Sequence, residues 1–125
     1  MPFVIVFFGA GVGGMVRHGV NVLAMRLLGV NFPYGTLIIN ITGCLVMGLI
    51  AGWLALRGEA SQPWRLFLMT GVLGGYTTFS AFSLDLMLLW ERGQAAGAIA
   101  YGLASVIGSV IAVGVGLFII RSVTV

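Results

Sequence analysis

The chain has 125 residues, of which 60% are hydrophobic and only 7% are charged, and its mean hydropathy is +1.15. Because a soluble domain carries about 25% charged residues, this composition excludes a soluble protein and predicts one that lies in the lipid bilayer. The net charge of +3 comes from scattered arginines, with no lysine and a single cysteine, Cys44. That pattern argues against nucleic-acid binding, a disulfide framework and a thiolate metal site.

Long uncharged intervals separate the charged residues and predict four membrane-spanning helices within one domain, residues 1–125. A spanning helix needs about 17–25 apolar residues, and each interval is long enough. The predicted spans cover about residues 3–27, 34–56, 65–90 and 95–121. The connecting segments, residues 28–33, 57–63 and 92–94, are too short to hold a soluble catalytic domain.

The first predicted span carries a glycine-rich stretch, residues 9–14, and then Arg17 and His18. The stretch has the GxGxxG spacing of dinucleotide-binding turns. That motif also needs a preceding strand and an acid about 20 residues later, and the nearest acid is Glu59. We therefore assign these glycines to helix packing. Arg17 has three open roles: reaching the membrane surface, attracting anions into a vestibule, or pairing with Asp85 or Glu91.

Neutral hydrogen-bond donors line one face of the second span and one face of the fourth. Thr36 and Asn40 are four residues apart, as are Tyr101, Ser105 and Ser109 in succession, so each set shares a helix face. A single hydroxyl in a membrane helix usually bonds a carbonyl of its own helix. The alignment of several donors instead favours an ion or substrate path.

The third span contains the most informative segment, GVLGGYTTFSAFS at residues 71–83. Gly74 and Gly75 each cost about 1 kcal/mol in a helix relative to alanine, and this predicts a break in the helix near them. Phe79 and Phe82 border the hydroxyl-rich turns that follow. Because an aromatic ring has a positive edge, the pair suits an anion path that has no deep, fixed positive well.

The charges give almost no preferred orientation across the membrane. Arg57, Arg65 and Arg121 fall on one side of a four-span topology, and Arg26 and Arg92 on the other. Positive residues normally accumulate on the cytoplasmic side. Two interpretations stay open: a short chain with few charges to count, or dual topology with antiparallel pairing of two subunits.

Three motifs together resemble the Fluc (CrcB) fluoride ion channel family. They are GGMVR at residues 13–17, PYGTLIIN at residues 33–40 and GGYTTFSAF at residues 74–82, and the similarity extends over nearly the whole chain. The resemblance implies an all-α membrane protein with four transmembrane helices, the third broken near its middle, that forms a dual-topology antiparallel homodimer. It also implies passive, fluoride-selective export through the plasma (inner) membrane of a prokaryote, which lowers fluoride toxicity.

The resemblance further implies roles for individual residues. A structural sodium ion would be the cofactor, held by the backbone carbonyls of Gly74 and Thr77. The implied fluoride pathway comprises Asn40, Phe79, Phe82, Tyr101, Ser105, Ser109, Thr36 and Arg17. The partners would be fluoride, a second copy of the chain and the lipid bilayer, with no nucleic acid. Ala81 stands where a threonine is common, and His18 where an aromatic residue is frequent.

The leading alternative is a small multidrug-type, proton-coupled exporter, which also has four spans and dual topology. Such a carrier needs a carboxylate in the middle of the membrane, and Asp85 is the one candidate. A non-transporting assembly subunit would leave the aligned donors unexplained. We expect no enzymatic activity, because His18, Asp85 and the serines form no catalytic constellation.

Overall fold

The structure, a computed structural model, describes residues 1–56 and 62–124. Its helices are α1 (Pro2–Leu28), α2 (Tyr34–Leu54), α3 (residues 62–76), α4 (Ser80–Glu91) and α5 (Ala95–Thr124). In this part of the chain four segments are long and apolar enough to span a membrane: Pro2–Leu28, Tyr34–Leu54, Gln62–Glu91 and Ala95–Val123. The predicted all-α architecture with a broken third span is therefore confirmed. Arg57 and Glu59 of the second connection lie outside the described residues.

Glycines end two of the spanning segments. Gly29 follows α1 with φ 85° and Gly93 follows α4 with φ 79°, the left-handed conformation in which glycine ends helices without strain. The Gly29 N–H donates to the carbonyl of Met25 at 3.1 Å, and the Gly93 N–H to that of Trp90 at 3.1 Å. The chain therefore turns sharply after α1 and after α4, and the next helix begins within a few residues.

Helix α3 differs from the predicted start of the third span and from regular α geometry. It is α-helical over Gln62–Arg65, a π-helix over Leu66–Leu73 and α-helical again over Gly74–Tyr76. Pro63, assigned to the loop from the sequence, lies in the first turn, where a helix tolerates proline because the missing N–H has no intrahelical partner. π-Helical turns often occur at functional sites, and nothing in the sequence pattern indicated this one.

The predicted break in the third span is confirmed, and it begins two residues after the glycine pair. Gly74 is helical, with φ −63° and ψ −37°, and the chain becomes extended at Thr77, with φ −79° and ψ 156°. Gly75 is needed for close packing instead: a Cβ atom there would overlap the backbone of Ala10 in α1. The glycine pair therefore serves contact between helices, and the helix itself is lost only at Thr77.

Small residues allow two helix pairs to approach closely, and for the glycines of α1 this confirms the predicted role in packing. On the α1–α3 contact, a Cβ atom at Gly9 would come within 2.9 Å of the Gly71 Cα, and one at Gly13 would overlap the carbonyl oxygen of Val72. On the α2–α5 contact, Gly48 and Gly116 face each other with the same lack of space. These two contacts are the most extensive between helices in the described chain.

A cluster of buried side chains joins α4 and α5 near the first loop. Its members are Phe82, Leu89, Ala98 and Tyr101, with Phe32, Leu37 and Leu86 packed against it. Tyr101 makes an edge contact with Phe32 at a centroid distance of 5.5 Å and a tilted contact with Phe82 at 5.2 Å. This cluster fixes the second half of the broken span against the last helix.

The α1–α3 contact predicts that Gly13→Ala destabilises the protein. The added Cβ atom would overlap backbone, which cannot rotate away, and such overpacking costs about 1–3 kcal/mol. The free energy of unfolding in detergent, measured by titration with a denaturing detergent, checks this. Gly97→Ala is the matched control, because its Cβ atom would meet only Gln94 Cβ at 3.8 Å. Equal stability of the two variants would contradict the packing argument.

Candidate functional site

The break in the third span is held by the side chain of Asn40 in α2. Its Nδ2 group donates to the carbonyl oxygen of Thr78 at 2.9 Å, and its Oδ1 accepts from the Thr78 N–H at 2.8 Å. One carboxamide therefore satisfies both polar groups of an extended residue inside the membrane, where an unpaired backbone group is costly. One N–H of the Asn40 amide remains available, since the group carries two.

The same hydrogen bonds release backbone carbonyls at the end of α3. In a continuous helix the Gly74 carbonyl would accept from the Thr78 N–H, and the Thr77 carbonyl from the Ala81 N–H. Both donors are used elsewhere: Thr78 N–H bonds Asn40, and Ala81 N–H bonds the Thr78 hydroxyl at 3.1 Å. Gly74 and Thr77 are the two residues to which the resemblance assigns sodium ligands. Their freed carbonyls fit a hard cation, because such ions prefer oxygen ligands.

An open groove lies beside the break and contains five of the predicted pathway residues. Its volume is about 270 Å³. It is lined by Asn40, Cys44, Thr77, Thr78, Phe79, Phe82, Ser105, Val106, Ser109 and Val110. The groove thus combines the amide of α2, the aromatic pair and the two serines of α5, three elements that are distant in sequence. Cys44, the single cysteine, is half-buried and contributes to the lining.

Ser105 is distinguished from the other hydroxyl residues by the lack of a partner. Thr42, Thr77 and Ser83 donate to carbonyls of their own helices at 2.6, 2.9 and 2.9 Å, the common arrangement for such residues. The Ser105 hydroxyl is the one buried side-chain polar atom in the described residues without a hydrogen bond. An unpaired buried hydroxyl costs about 1–3 kcal/mol, so a ligand that accepts a hydrogen bond from it would recover that cost.

The two phenylalanines of the predicted anion path differ in their surroundings. Phe82 lies within α4 and is 7% exposed, whereas Phe79 precedes the helix and is 77% exposed. Their ring centroids are 5.6 Å apart and the ring planes are inclined by 49°. Phe79 is the N-cap residue of α4, and both rings line the same groove. The pair therefore presents one anchored ring and one free ring to the groove.

Thr36 and Tyr101 lie apart from the groove and bind Asp85. The Thr36 hydroxyl donates to Asp85 Oδ2 at 2.8 Å, and the Tyr101 hydroxyl donates to the same oxygen at 3.2 Å. Tyr101 is fully buried, so its ring stabilises the aromatic cluster. The three predicted pathway residues of α5 therefore lie in two places. Ser105 and Ser109 line the groove, whereas Tyr101 binds the Asp85 carboxylate, which joins α2, α4 and α5.

Arg17 lines a separate space on the α1 side of the break, which we call the inner cavity. Its volume is about 470 Å³, and its lining comprises Gly14, Arg17, His18, Asn21, Thr36, Ile39, Thr78, Ser80, Ala81 and Leu84. No carboxylate is among these residues, and Asp85 is bound by two hydroxyls, so the lining favours the vestibule role for Arg17 over an ion pair. Asn21 was missed from the sequence, although it is four residues from Arg17 and therefore shares its helix face.

Comparison with known proteins places the chain in a family. The family model described as "CrcB-like protein, Camphor Resistance (CrcB)" matches residues 4–117. The chain belongs to the CrcB family. The similarity found from three short motifs thus extends over nearly the entire chain.

Curated relatives of this CrcB chain carry a functional name. This chain is 56% identical over 124 residues to "Fluoride-specific ion channel FluC 2" of Nitrobacter hamburgensis, and the match covers 99% of this chain and 100% of the relative. It is 58% identical over 117 residues to "Fluoride-specific ion channel FluC" of Methylobacterium nodulans, covering 94% of each. A protein of the same name from Rhodopseudomonas palustris is 64% identical over 93 residues, which are 74% of this chain and 75% of the relative.

The Asn40–Thr78 contact predicts that Asn40→Ala destabilises this CrcB chain. Both polar groups of Thr78 lose their partner, and although hydrogen bonds between membrane helices contribute only about 0.6 kcal/mol on average, two groups left unsatisfied together should cost about 1–3 kcal/mol. The free energy of unfolding in detergent is the measurement. Ser83→Ala is the control, because that hydroxyl bonds only its own helix. A loss no larger than in the control would show that the break does not depend on Asn40.

Proposed function

We propose that this protein is a fluoride-selective channel that lets fluoride leave the cytoplasm passively, and so lowers its toxicity. Membership of the CrcB family and the names of the relatives support the choice of ion. The relatives are bacterial, which supports a location in the plasma (inner) membrane of a prokaryote. Four apolar spanning segments support a multi-pass protein.

The observation that carries the proposal is the position of the groove at the start of α4. The N-terminus of a helix bears a partial positive charge and exposed N–H groups, and half-helix N-termini inside membranes face anions in several transporters. The groove adds the remaining Asn40 N–H, the unpaired Ser105 hydroxyl and the Ser109 hydroxyl. An anion entering the groove would meet these donors and the two phenylalanine rings, beside the apolar side chains of Val106 and Val110.

Neutral donors suit conduction better than a fixed charge would. Fluoride is small and strongly hydrated, so the groove must replace its water shell with several hydrogen bonds at once. A buried arginine beside the ion would bind it too tightly to release it, whereas hydroxyl and amide donors hold it with moderate strength. Arg17 lies outside the groove, in the inner cavity, where it would raise the local anion concentration without trapping the ion.

We propose that the working unit is an antiparallel homodimer with dual topology. The groove is open along one side of the single chain, so a second copy would close it and remove fluoride from contact with lipid. The near balance of arginines between the two sides of the membrane supports insertion in both orientations. Phe79, mostly exposed at the rim of the groove, would then face the partner subunit.

Sodium would stabilise this assembly and would not be transported with fluoride. The carbonyls of Gly74 and Thr77 would hold it, and the positive ion would offset the partial negative charge at the end of α3. The cation would bind backbone carbonyls at the end of α3, whereas the anion would bind the donors of Asn40, Ser105 and Ser109, so the two ions would use different groups. Removing sodium is therefore expected to weaken the dimer before it changes ion selectivity.

The exporter alternative and enzymatic activity are not favoured. A proton-coupled carrier needs a carboxylate that alternates between substrate and proton, and Asp85 already accepts hydrogen bonds from Thr36 and Tyr101. The family match supports the channel and not the exporter. Channel activity by itself requires no catalytic group, in agreement with the expectation that the protein is not an enzyme.

The proposal predicts fluoride efflux from liposomes that contain the purified protein, and much slower chloride efflux. Ser105→Ala should slow fluoride efflux roughly 10- to 100-fold, because a hydrogen bond to a charged group contributes about 1.5–3 kcal/mol. Phe82→Ile should also cripple conduction while the dimer persists on size-exclusion chromatography.

Asp85→Asn should leave most of the flux, whereas it would abolish proton-coupled export. Absent fluoride flux, or equal flux of both anions, would refute the proposed function.

A sodium gradient tests the structural role of the cation. Fluoride efflux at a fixed membrane potential should be unchanged when the inward sodium gradient is reversed, because the cation does not move with the anion. Exchange of sodium for a large organic cation should instead promote dissociation of the dimer in detergent. Fluoride movement driven uphill by sodium would overturn this part of the proposal.

A further inference from the structure

A second polar space adjoins the inner cavity at the end of α1, and we call it the mouth cavity. Its volume is about 190 Å³. It is lined by Asn21, Met25, Gly29, Val30, Phe32, Pro33, Thr36, Asp85, Leu88 and Arg92. Because it includes residues of the first and third connecting segments, it opens at one membrane surface. The inner cavity reaches Thr78 and Ser80 at the helix break.

Two residues line both cavities: Asn21 of α1 and Thr36 of α2. The mouth and inner cavities therefore meet between these side chains, which form a neck on a polar route from the surface to the break. The Thr36 hydroxyl is bound to Asp85 at 2.8 Å. Asn21 differs, because its carboxamide makes no hydrogen bond to the described residues. Its two N–H groups remain available to water or to an anion.

The position of the Asn21 carboxamide is set by Gly35. A Cβ atom at Gly35 would overlap Asn21 Oδ1 and would lie 3.2 Å from Asn21 Cγ. A larger residue at position 35 would displace the end of the Asn21 side chain. Glycine at this position therefore leaves room for the amide at the neck.

The charges along the route also fit an entering anion. Arg92 lines the mouth cavity; its Nε donates to the Leu88 carbonyl at 3.3 Å, and the rest of its guanidinium is available. Arg17 lines the inner cavity beyond the neck. Asp85 also lines the mouth cavity, and two hydroxyl donors on one of its oxygens reduce its repulsion of an anion. A neutral amide between two arginines can pass an anion from one to the other without holding it.

We propose that Asn21 is a further pore-lining residue of the fluoride path: its amide forms the neck through which fluoride passes between the mouth cavity and the helix break. The inference rests on the proposed channel function. It assigns a role to α1, which contributes nothing to the groove.

The direct test is fluoride efflux from liposomes for Asn21→Asp and Asn21→Ala. The aspartate places a negative charge at the neck and should slow efflux about tenfold or more, since local fields change encounter rates by about 10–10³-fold. The alanine removes both donors without adding charge and should slow efflux less. Dimer elution on size-exclusion chromatography identifies variants that fail to assemble. Efflux within twofold of the unmodified protein for both assembled variants would overturn the proposal.

The two arginines on this side of the membrane provide a matched pair. Arg92 lines the mouth cavity, whereas Arg26 is exposed and lines neither cavity. Arg92→Gln should slow efflux at low ionic strength, with a smaller effect at high ionic strength, because salt screens the field. Arg26→Gln should have no such effect. Equal behaviour of the two variants would show that the mouth cavity is not on the route.

Gly35→Ala tests the geometry of the neck independently of charge. The new methyl group should push the Asn21 amide into the route and slow efflux. In the double variant Gly35→Ala, Asn21→Ala, the two closest contacts of the new Cβ atom, with Asn21 Oδ1 and Cγ, are removed, so efflux should equal that of Asn21→Ala alone. Additive losses would contradict the proposed coupling. Absence of fluoride flux in the unmodified protein would refute the channel function itself, whereas normal flux with unaffected variants would refute only the role of Asn21.

Discussion

The reciprocal hydrogen bonding between the Asn40 carboxamide and Thr78 is the interaction on which the rest of the site depends. Extended backbone is unstable in a membrane unless protein groups satisfy it, and one side chain does so here for both polar groups of Thr78. Without these two hydrogen bonds from Asn40, the third span would gain backbone hydrogen bonds by continuing as a helix. A continuous helix would have neither free carbonyls nor a helix N-terminus at this depth.

The break separates two opposite electrostatic environments within a few residues. Helix α3 ends in carbonyls that its own chain no longer bonds, and α4 begins with N–H groups and the groove donors. The first set suits a cation and the second an anion, following the partial charges at helix ends. Because both arise from backbone geometry, neither needs an ionised side chain. This explains how a chain with 7% charged residues can offer distinct sites to ions of both signs.

The spans and the donor-bearing faces could be predicted from the sequence, because both depend on local periodicity. The length of each uncharged interval predicts a spanning helix, and the four-residue spacing of Ser105 and Ser109 predicts that they share a helix face. A break near the glycine pair could be predicted, but its start at Thr77 could not, because helix propensity disfavours Gly75 by only about 1 kcal/mol. Its backbone contact with Ala10 of α1 is a tertiary constraint, and it outweighs that preference. The hydrogen bond from Tyr101 to Asp85 could not be predicted for a similar reason, because Asp85 belongs to another helix.

Asn21 shows the limit of reasoning from one helix at a time. Its role depends on α1 facing Gly35, on two cavities meeting beside it and on the commitment of Thr36 to Asp85. Within α1 it is a single amide among apolar residues, which alone favours no function. The residues that bind Asp85 also leave Asn21 as the unbound donor at the neck. One principle then applies to the neutral amide at the neck and to the neutral donors in the groove. Arginines attract the anion from outside, and several weak hydrogen bonds hold it where it must pass.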